Sequence, residues 1–128
     1  MRIGELANAC ACPVETIRYY EKIGLLPAAA RLANGYRSYD DKHRKCLQFI
    51  IRSRELGFSQ DEVRRLTDLA QQKQAACADV HKLLEDHVHD VRMRVRELER
   101  MERALVRLKT QCRDGTLHDC PVIDELMS

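Results

Sequence analysis

Residues Asp79–Gln111 read DVHKLLEDHVHDVRMRVRELERMERALVRLKTQ, a run with neither Gly nor Pro. Leu84, Val88, Val91, Val95, Leu98, Met101, Leu105 and Leu108 recur along it at steps of three or four, with one irregular step at Met101. That pattern is the seam of a coiled-coil helix. One helix cannot bury such a stripe by itself, so the spacing predicts pairing, most simply with a second copy of the chain. Around the seam, Arg92, Arg94, Arg96, Arg100, Arg103 and Arg107 mix with Glu97, Glu99 and Glu102. This reads as an exposed, salt-bridged face and not as a nucleic-acid track.

Cysteines bracket the run. Cys77 stands just ahead of it, and Cys112 follows Leu108 by four residues, in phase with the seam. Arg113, Asp114 and Gly115 break the helix, and Cys120 returns before Pro121. Thiolates are soft ligands suited to Zn, Cd, Pb, Hg and Cu(I). About 32 helical residues at 1.5 Å each span roughly 48 Å, so Cys77 and Cys112 cannot meet within one chain. In an antiparallel dimer, Cys77 of one protomer comes beside Cys112 and Cys120 of the other, and two equivalent sites form. Three thiolates bring a divalent ion to a single net negative charge. The same three would leave Cu(I) at two, which is costly in a sheltered site. The candidate effector is therefore a divalent soft metal ion: Cd, Pb, Zn or Hg. Lead and mercury accept three sulfurs, whereas zinc and cadmium want a fourth ligand, which His118 can supply. The competing chemistry is a thiol redox switch in which Cys112 and Cys120 form a disulfide.

Upstream, Ile3, Leu6 and Ala7 predict a short helix over about residues 3–9. Cys10 to Cys12 then make a turn, and Pro13 opens a second helix that runs to about Ile23. Two short helices across a tight turn outline a helix-turn-helix. Helical periodicity stops between Gly24 and Tyr39, where Asn34-Gly35 predicts a tight hairpin, a small wing flanked by Arg31, Tyr36, Arg37 and Tyr39. Asp40 is a plausible N-cap for a third helix whose apolar face carries Leu47, Phe49, Ile50 and Ile51. Gly57 stops that helix, and Ser59 with Glu62 forms the capping box of a fourth. The sequence divides into a DNA-binding-sized domain over 1–70, a connector over 71–78, a dimerisation helix over 79–111, and a metal-binding loop with a short C-terminal helix over 112–128. The fold class is mainly α: a winged helix-turn-helix, a long antiparallel coiled-coil helix and a C-terminal metal-binding loop.

The whole chain agrees. Its 128 residues are 45% hydrophobic, 33% charged and only 5% aromatic, with no Trp, which favours a helical protein. Residues 1–70 hold 12 Lys/Arg against 9 Asp/Glu, and residues 71–128 hold 10 against 11, so the cationic surplus sits where phosphates would be met. No run of about 18 apolar residues exists, and the N-terminus starts as a helix, so a cytoplasmic protein with no membrane partner is expected. In that compartment six cysteines are reduced thiols. Cys10, Cys12 and Cys46 read as small core or turn residues, and His81, His87 and His89 as interface or solvated groups. There is no glycine-rich phosphate loop, no Ser/His/Asp set and no paired-carboxylate arrangement, which argues against an enzyme.

The segments Arg2-Ile3-Gly4-Glu5-Leu6-Ala7, Val14-Glu15-Thr16-Ile17-Arg18-Tyr19-Tyr20-Glu21, Gly24-Leu25-Leu26-Pro27, Asn34-Gly35-Tyr36-Arg37-Ser38-Tyr39 and Leu56-Gly57-Phe58-Ser59 together resemble the MerR family, in order and with family spacing. The resemblance implies a homodimer on double-stranded promoter DNA that works with RNA polymerase. Effector binding in such dimers bends and untwists an over-long spacer, so that shape carries the signal. It implies DNA contacts from Thr16, Arg18, Tyr19 and Tyr20 on the recognition helix and from Arg31, Tyr36, Arg37 and Tyr39 on the wing. Tyr20 and Tyr39 have packing into the core as their alternative. It also implies that the controlled genes serve metal efflux or detoxification. Within the family, Cys112, Cys120 and the Asp119-Cys120-Pro121 segment are similar to copper(I) sensors, which have Ser where Cys77 stands. Cys77 is similar to the divalent-ion sensors, and Cys12-Pro13-Val14-Glu15-Thr16 to the cadmium/lead group. The helix around Leu98-Glu99-Arg100-Met101-Glu102 resembles mercury sensors.

Overall fold

The computed structural model describes residues 1–72, 76–112 and 120–128. Its elements run α1 (Ile3–Cys10), α2 (Val14–Lys22), β1 (Ala30–Arg31), β2 (Arg37–Ser38), α3 (Asp41–Glu55), α4 (Gln60–Gln71), α5 (Cys77–Gln111) and α6 (Pro121–Met127). Contacts divide the chain into two compact units, Met1–His81 and Lys82–Ser128. The expected helix break at Arg113, Asp114 and Gly115 and the candidate ligand His118 lie outside the described residues.

The first unit is organised by a small apolar core. Leu6, Ile17, Leu47, Ile50 and Val63 come from four helices, and each is fully buried. α1 packs on both α2 and α3, and α3 on α4. The turn between α1 and α2 is made by Ala11 in the left-handed region (φ 50°), with the Cys12 N–H donating to the Ala7 carbonyl at 3.0 Å. Pro13 is the N-cap of α2, so the helix begins at Val14, one position later than the sequence reading in which Pro13 is its first residue. Its carbonyl accepts the first bonds of the helix, from Thr16 and Ile17 at 3.1 and 3.2 Å. An N-cap contributes its carbonyl and no donor, so proline loses nothing there.

The wing is a two-stranded antiparallel ribbon in which Ala30 faces Ser38 and Arg31 faces Arg37. Its tip differs from the two-residue turn that Asn34-Gly35 predicts. The Leu32 N–H donates to the Tyr36 carbonyl (2.8 Å) and the Gly35 N–H to the Leu32 carbonyl (2.9 Å), which leaves three residues in the loop. Only Gly35 has positive φ (84°), while the Asn34 side chain accepts from the Tyr36 N–H at 3.1 Å. A three-residue loop needs one left-handed residue at its end, and an asparagine side chain bonded to the backbone stabilises the preceding turn.

Both predicted caps are present. Asp40 accepts from the His43 N–H at 3.1 Å, and Ser59 accepts from the Glu62 N–H at 3.1 Å while Glu62 returns to the Ser59 N–H at 3.0 Å. Gly57 (φ 87°) ends α3 and lets the Phe58 N–H reach back to the Ser53 carbonyl at 3.1 Å. Phe58 is thereby buried at the base of α4.

In the second unit α6 is tied to α5 by an ion pair between Arg107 and Glu125 at 3.2 Å. α5 starts at Cys77, two residues before the sequence expectation. Nothing in Cys77-Ala78 opposes helix, and Asp79 in its first turn suits the positive end of the helix dipole. The seam residues Leu84, Val88, Val91, Val95, Leu98, Met101 and Leu105 are all exposed, and Leu108 is half-buried. No helix among the described residues is long and apolar enough to cross a membrane.

Candidate functional site

Ile17 fixes the rotation of α2: with its side chain fully buried, Arg18 and Tyr19 face solvent, while Thr16 and Tyr20 are half-buried. Tyr19 is steadied from outside its own helix. Its hydroxyl meets the side-chain amide of Gln60, the first residue of α4, at 3.3–3.4 Å. On the wing Arg31, Tyr36 and Arg37 are exposed, and Arg37 reaches the carboxylate of Glu21 on α2 at 3.5 Å. Recognition helix and wing thus present five exposed candidate contacts: Arg18, Tyr19, Arg31, Tyr36 and Arg37.

Tyr39 takes the inward alternative. It is 1% exposed, with its ring edge-on to His43 at 5.2 Å, and His43 is bound in turn to Asp40 and to the Ala28 carbonyl. Burial first, and the neighbouring Glu21 carboxylate second, push its phenol up to about 12 against an opposing pull from Arg37. Tyr39 is the wing's anchor in the core. Strand alternation would place Tyr39 on the same face as exposed Arg37, but β2 ends at Ser38, and Tyr39 turns inward beyond it.

The six cysteines fall into two groups. Cys10, Cys12 and Cys46 direct their thiols at the carbonyls of Arg44, Pro13 and Leu25, at 3.9, 3.7 and 3.7 Å. Burial raises the pKa of all three; for Cys10 nearby Arg44 opposes the shift, and for Cys12 the neighbouring Cys10 adds to it. A thiol kept protonated is a poor nucleophile and a poor metal ligand. Cys77 and Cys112 are exposed and Cys120 is half-buried. Cys77 is the first residue of α5 and Cys112 the first after it, so the helix holds them apart within a chain. No cluster of three metal-ligating side chains forms among the described residues of one chain. Cys77, Cys112 and Cys120 have no carbonyl partner among the described residues, and sulfur donors of this kind suit a soft ion.

A buried core drawn from four helices, with one face of α2 exposed beside a cationic wing, defines a helix-turn-helix DNA-binding architecture. The comparisons agree. The MerR HTH family regulatory protein domain matches residues 1–70, and the MerR DNA-binding domain matches residues 44–108. The mercuric resistance operon regulatory protein of Bacillus cereus is 39% identical over 98% of this chain and 96% of its own length. The transcription regulator PbrR691 of Ralstonia metallidurans CH34, solved in complex with lead(II), superposes with a TM-score of 0.86 at 38% identity, covering 98% of both chains. The dual-function regulator MerR of Bacillus megaterium MB1, solved with mercury(II), gives 0.75 at 35% identity over the whole of both chains. The chain belongs to the MerR family of transcriptional regulators.

Proposed function

We propose that this protein is a homodimeric, metal-responsive activator of metal efflux or detoxification genes that takes a divalent soft ion at Cys77 of one protomer and Cys112 and Cys120 of the partner subunit. The observation that carries this reading is the symmetry of the exposed seam. A two-fold axis that sets Cys77 against Cys112 also sets Leu84 against Leu105, Val88 against Met101 and Val91 against Leu98, all six of them exposed apolar side chains. The same axis sets Val95 against Arg94 and Leu108 against His81, so three of the five seam pairings are apolar on both sides, concentrated about the centre of the helix, which favours antiparallel self-pairing.

An ion held there by Cys77 of one protomer and Cys112 and Cys120 of the partner subunit would link the two chains, with His118 as the candidate fourth ligand for zinc or cadmium. The relatives named for mercury and solved with lead and mercury support a soft metal ion as the effector, and within that class the donor count favours a divalent one. On the DNA side Arg18 and Tyr19 enter a major groove, while Arg31, Tyr36 and Arg37 hold the flanking backbone. Two such domains on one dimer read half-sites of a promoter. Distortion of the DNA between them presents the promoter elements to RNA polymerase.

The test is anaerobic competitive binding of Cd(II), Pb(II), Zn(II), Hg(II) and Cu(I) to the reduced protein, with Cys77→Ser beside it. Tight divalent binding that the substitution abolishes supports the shared site. Binding of Cu(I) alone, unaffected by Cys77→Ser, refutes it. Loss of thiols to disulfide under peroxide, with no metal affinity, would make the protein a redox switch.

A further inference from the structure

Arg2 opens a segment that carries the family resemblance without being assigned a DNA contact, yet the fold brings it beside the recognition helix and the wing. One open cleft of about 530 Å³ is lined by Arg2 ahead of α1, Arg18 of α2, and Tyr36 and Arg37 of the wing, with no carboxylate in its wall. Three guanidinium groups from three separate parts of the chain converge on it. Like charges do not gather around an open cleft without cost, and what repays that cost is an anion.

Two contacts hold Arg2 in place. Its guanidinium lies 4.8 Å from the centroid of the Tyr36 ring. The carbonyl of Met1 accepts from the Tyr39 N–H at 2.8 Å, pinning the backbone before Arg2 to the base of the wing. Stacking on an aromatic face leaves the N–H edge of a guanidinium free to donate. Arg37 is partly neutralised by Glu21 at 3.5 Å, so Arg2 and Arg18 carry most of the unbalanced charge.

We infer that Arg2 is a DNA-backbone clamp: with Arg18 and Arg37 it binds one phosphodiester group, and Tyr36 serves as the platform that orients its guanidinium. The inference deepens the DNA-binding reading above and rests on it. A phosphodiester fits because it is a monoanion with two free oxygens, matched to the fork of an arginine. The duplex is its source because the cleft lies between the recognition helix and the wing, the two elements that meet DNA.

The experiment is fluorescence anisotropy of the full chain on two duplexes, one of mixed sequence and one selected by the wild-type protein from a random pool, across a salt series. Arg2→Gln is expected to weaken both duplexes severalfold and to make the slope of log affinity against log salt measurably shallower, by at most about 0.9, the value of one whole phosphate contact, since Arg18 and Arg37 remain on the same phosphate. Arg2→Lys should keep the slope. Tyr36→Leu should reproduce part of the loss and add nothing to Arg2→Gln, whereas Tyr36→Phe should stay near wild type. An unchanged slope in a folded Arg2→Gln protein overturns the inference, as does a loss confined to the selected duplex. Displacement of DNA by inorganic phosphate at matched ionic strength, dependent on Arg2, would make the cleft a free-phosphate site. Failure of the wild type on both duplexes would instead remove the DNA-binding reading itself.

Discussion

Replacing Leu98 with alanine tests the antiparallel seam directly. Leu98 is 61% exposed in the single chain, so most of its side chain is still available for burial against a second copy. Leucine exceeds alanine by three carbon groups at about 0.8 kcal/mol each, and scaling by the exposed fraction leaves roughly 1.5 kcal/mol per protomer. Two-fold symmetry counts the position twice, which brings the loss to about 3 kcal/mol per dimer. At 1.4 kcal/mol per tenfold, the dimer dissociation constant should rise about a hundredfold. Sedimentation velocity over a dilution series of the metal-free protein reads this shift. Glu99→Ala, one residue along and off the seam, is the control and should move the constant by less than about threefold, as an exposed ion-pair residue does. An unaltered dissociation constant in Leu98→Ala, or equal losses in both variants, would refute the seam and with it the shared metal site.

Other consequences follow from the first unit and from the thiols. Cys46→Ser should leave metal affinity and stoichiometry at wild-type values in the competition assay, because burial holds that thiol protonated, whereas Cys112→Ser should lose the divalent site. Tyr39 gives a pH signature: its phenol ionises near 10.0 when unfolded and at about 12 when folded, so folding stability should fall as pH rises from about 10 and level off above about 12. Tyr39→Phe should flatten that limb in denaturant titrations; an identical slope in both proteins would remove burial of the phenol as its cause. Asp40 works in the opposite direction. Its bonds to His43 hold its carboxyl below the usual value of 3.8, so the cap's contribution is present above that value and is lost on further acidification, and Asp40→Asn should weaken this dependence. Gly57→Ala should destabilise the first unit by about 1 kcal/mol or more, since φ of 87° is strained for any residue with a Cβ. Equal melting of the two proteins would speak against the turn.

Much of the fold was legible because each element carries its own punctuation. Ser59 with Glu62, Asp40 ahead of α3 and Gly57 behind it are local signals, and local signals survive folding unchanged. The wing tip was less legible. Asn34-Gly35 suits several turns, and the pairing of Leu32 with Tyr36 that selects the three-residue loop depends on where β1 and β2 come into register. The start of α5 at Cys77 was less legible because Cys77-Ala78 lie well ahead of the apolar seam that opens at Leu84.

The binding residues were legible by type more than by partner. Arg18 and Arg37 are cations in segments that resemble the family's recognition helix and wing, so charge and resemblance together found them. Arg2 carries the same charge in a segment whose visible task is to open α1, and only the packing of α1 against α2 and α3 brings it over Tyr36. Glu21 and Gln60 were likewise hidden, for they act on Arg37 and Tyr19 across 16 and 41 residues of sequence. The thiols show the same division. Spacing along the long helix separated Cys77 from Cys112, but Cys10, Cys12 and Cys46 could be set aside with a physical reason only after their burial and their carbonyl partners were known. That sorting bears on the proposed site: burial raises the pKa of Cys10, Cys12 and Cys46 and disfavours them as ligands, which leaves Cys77, Cys112 and Cys120 as the thiols on which the proposed two-protomer site depends.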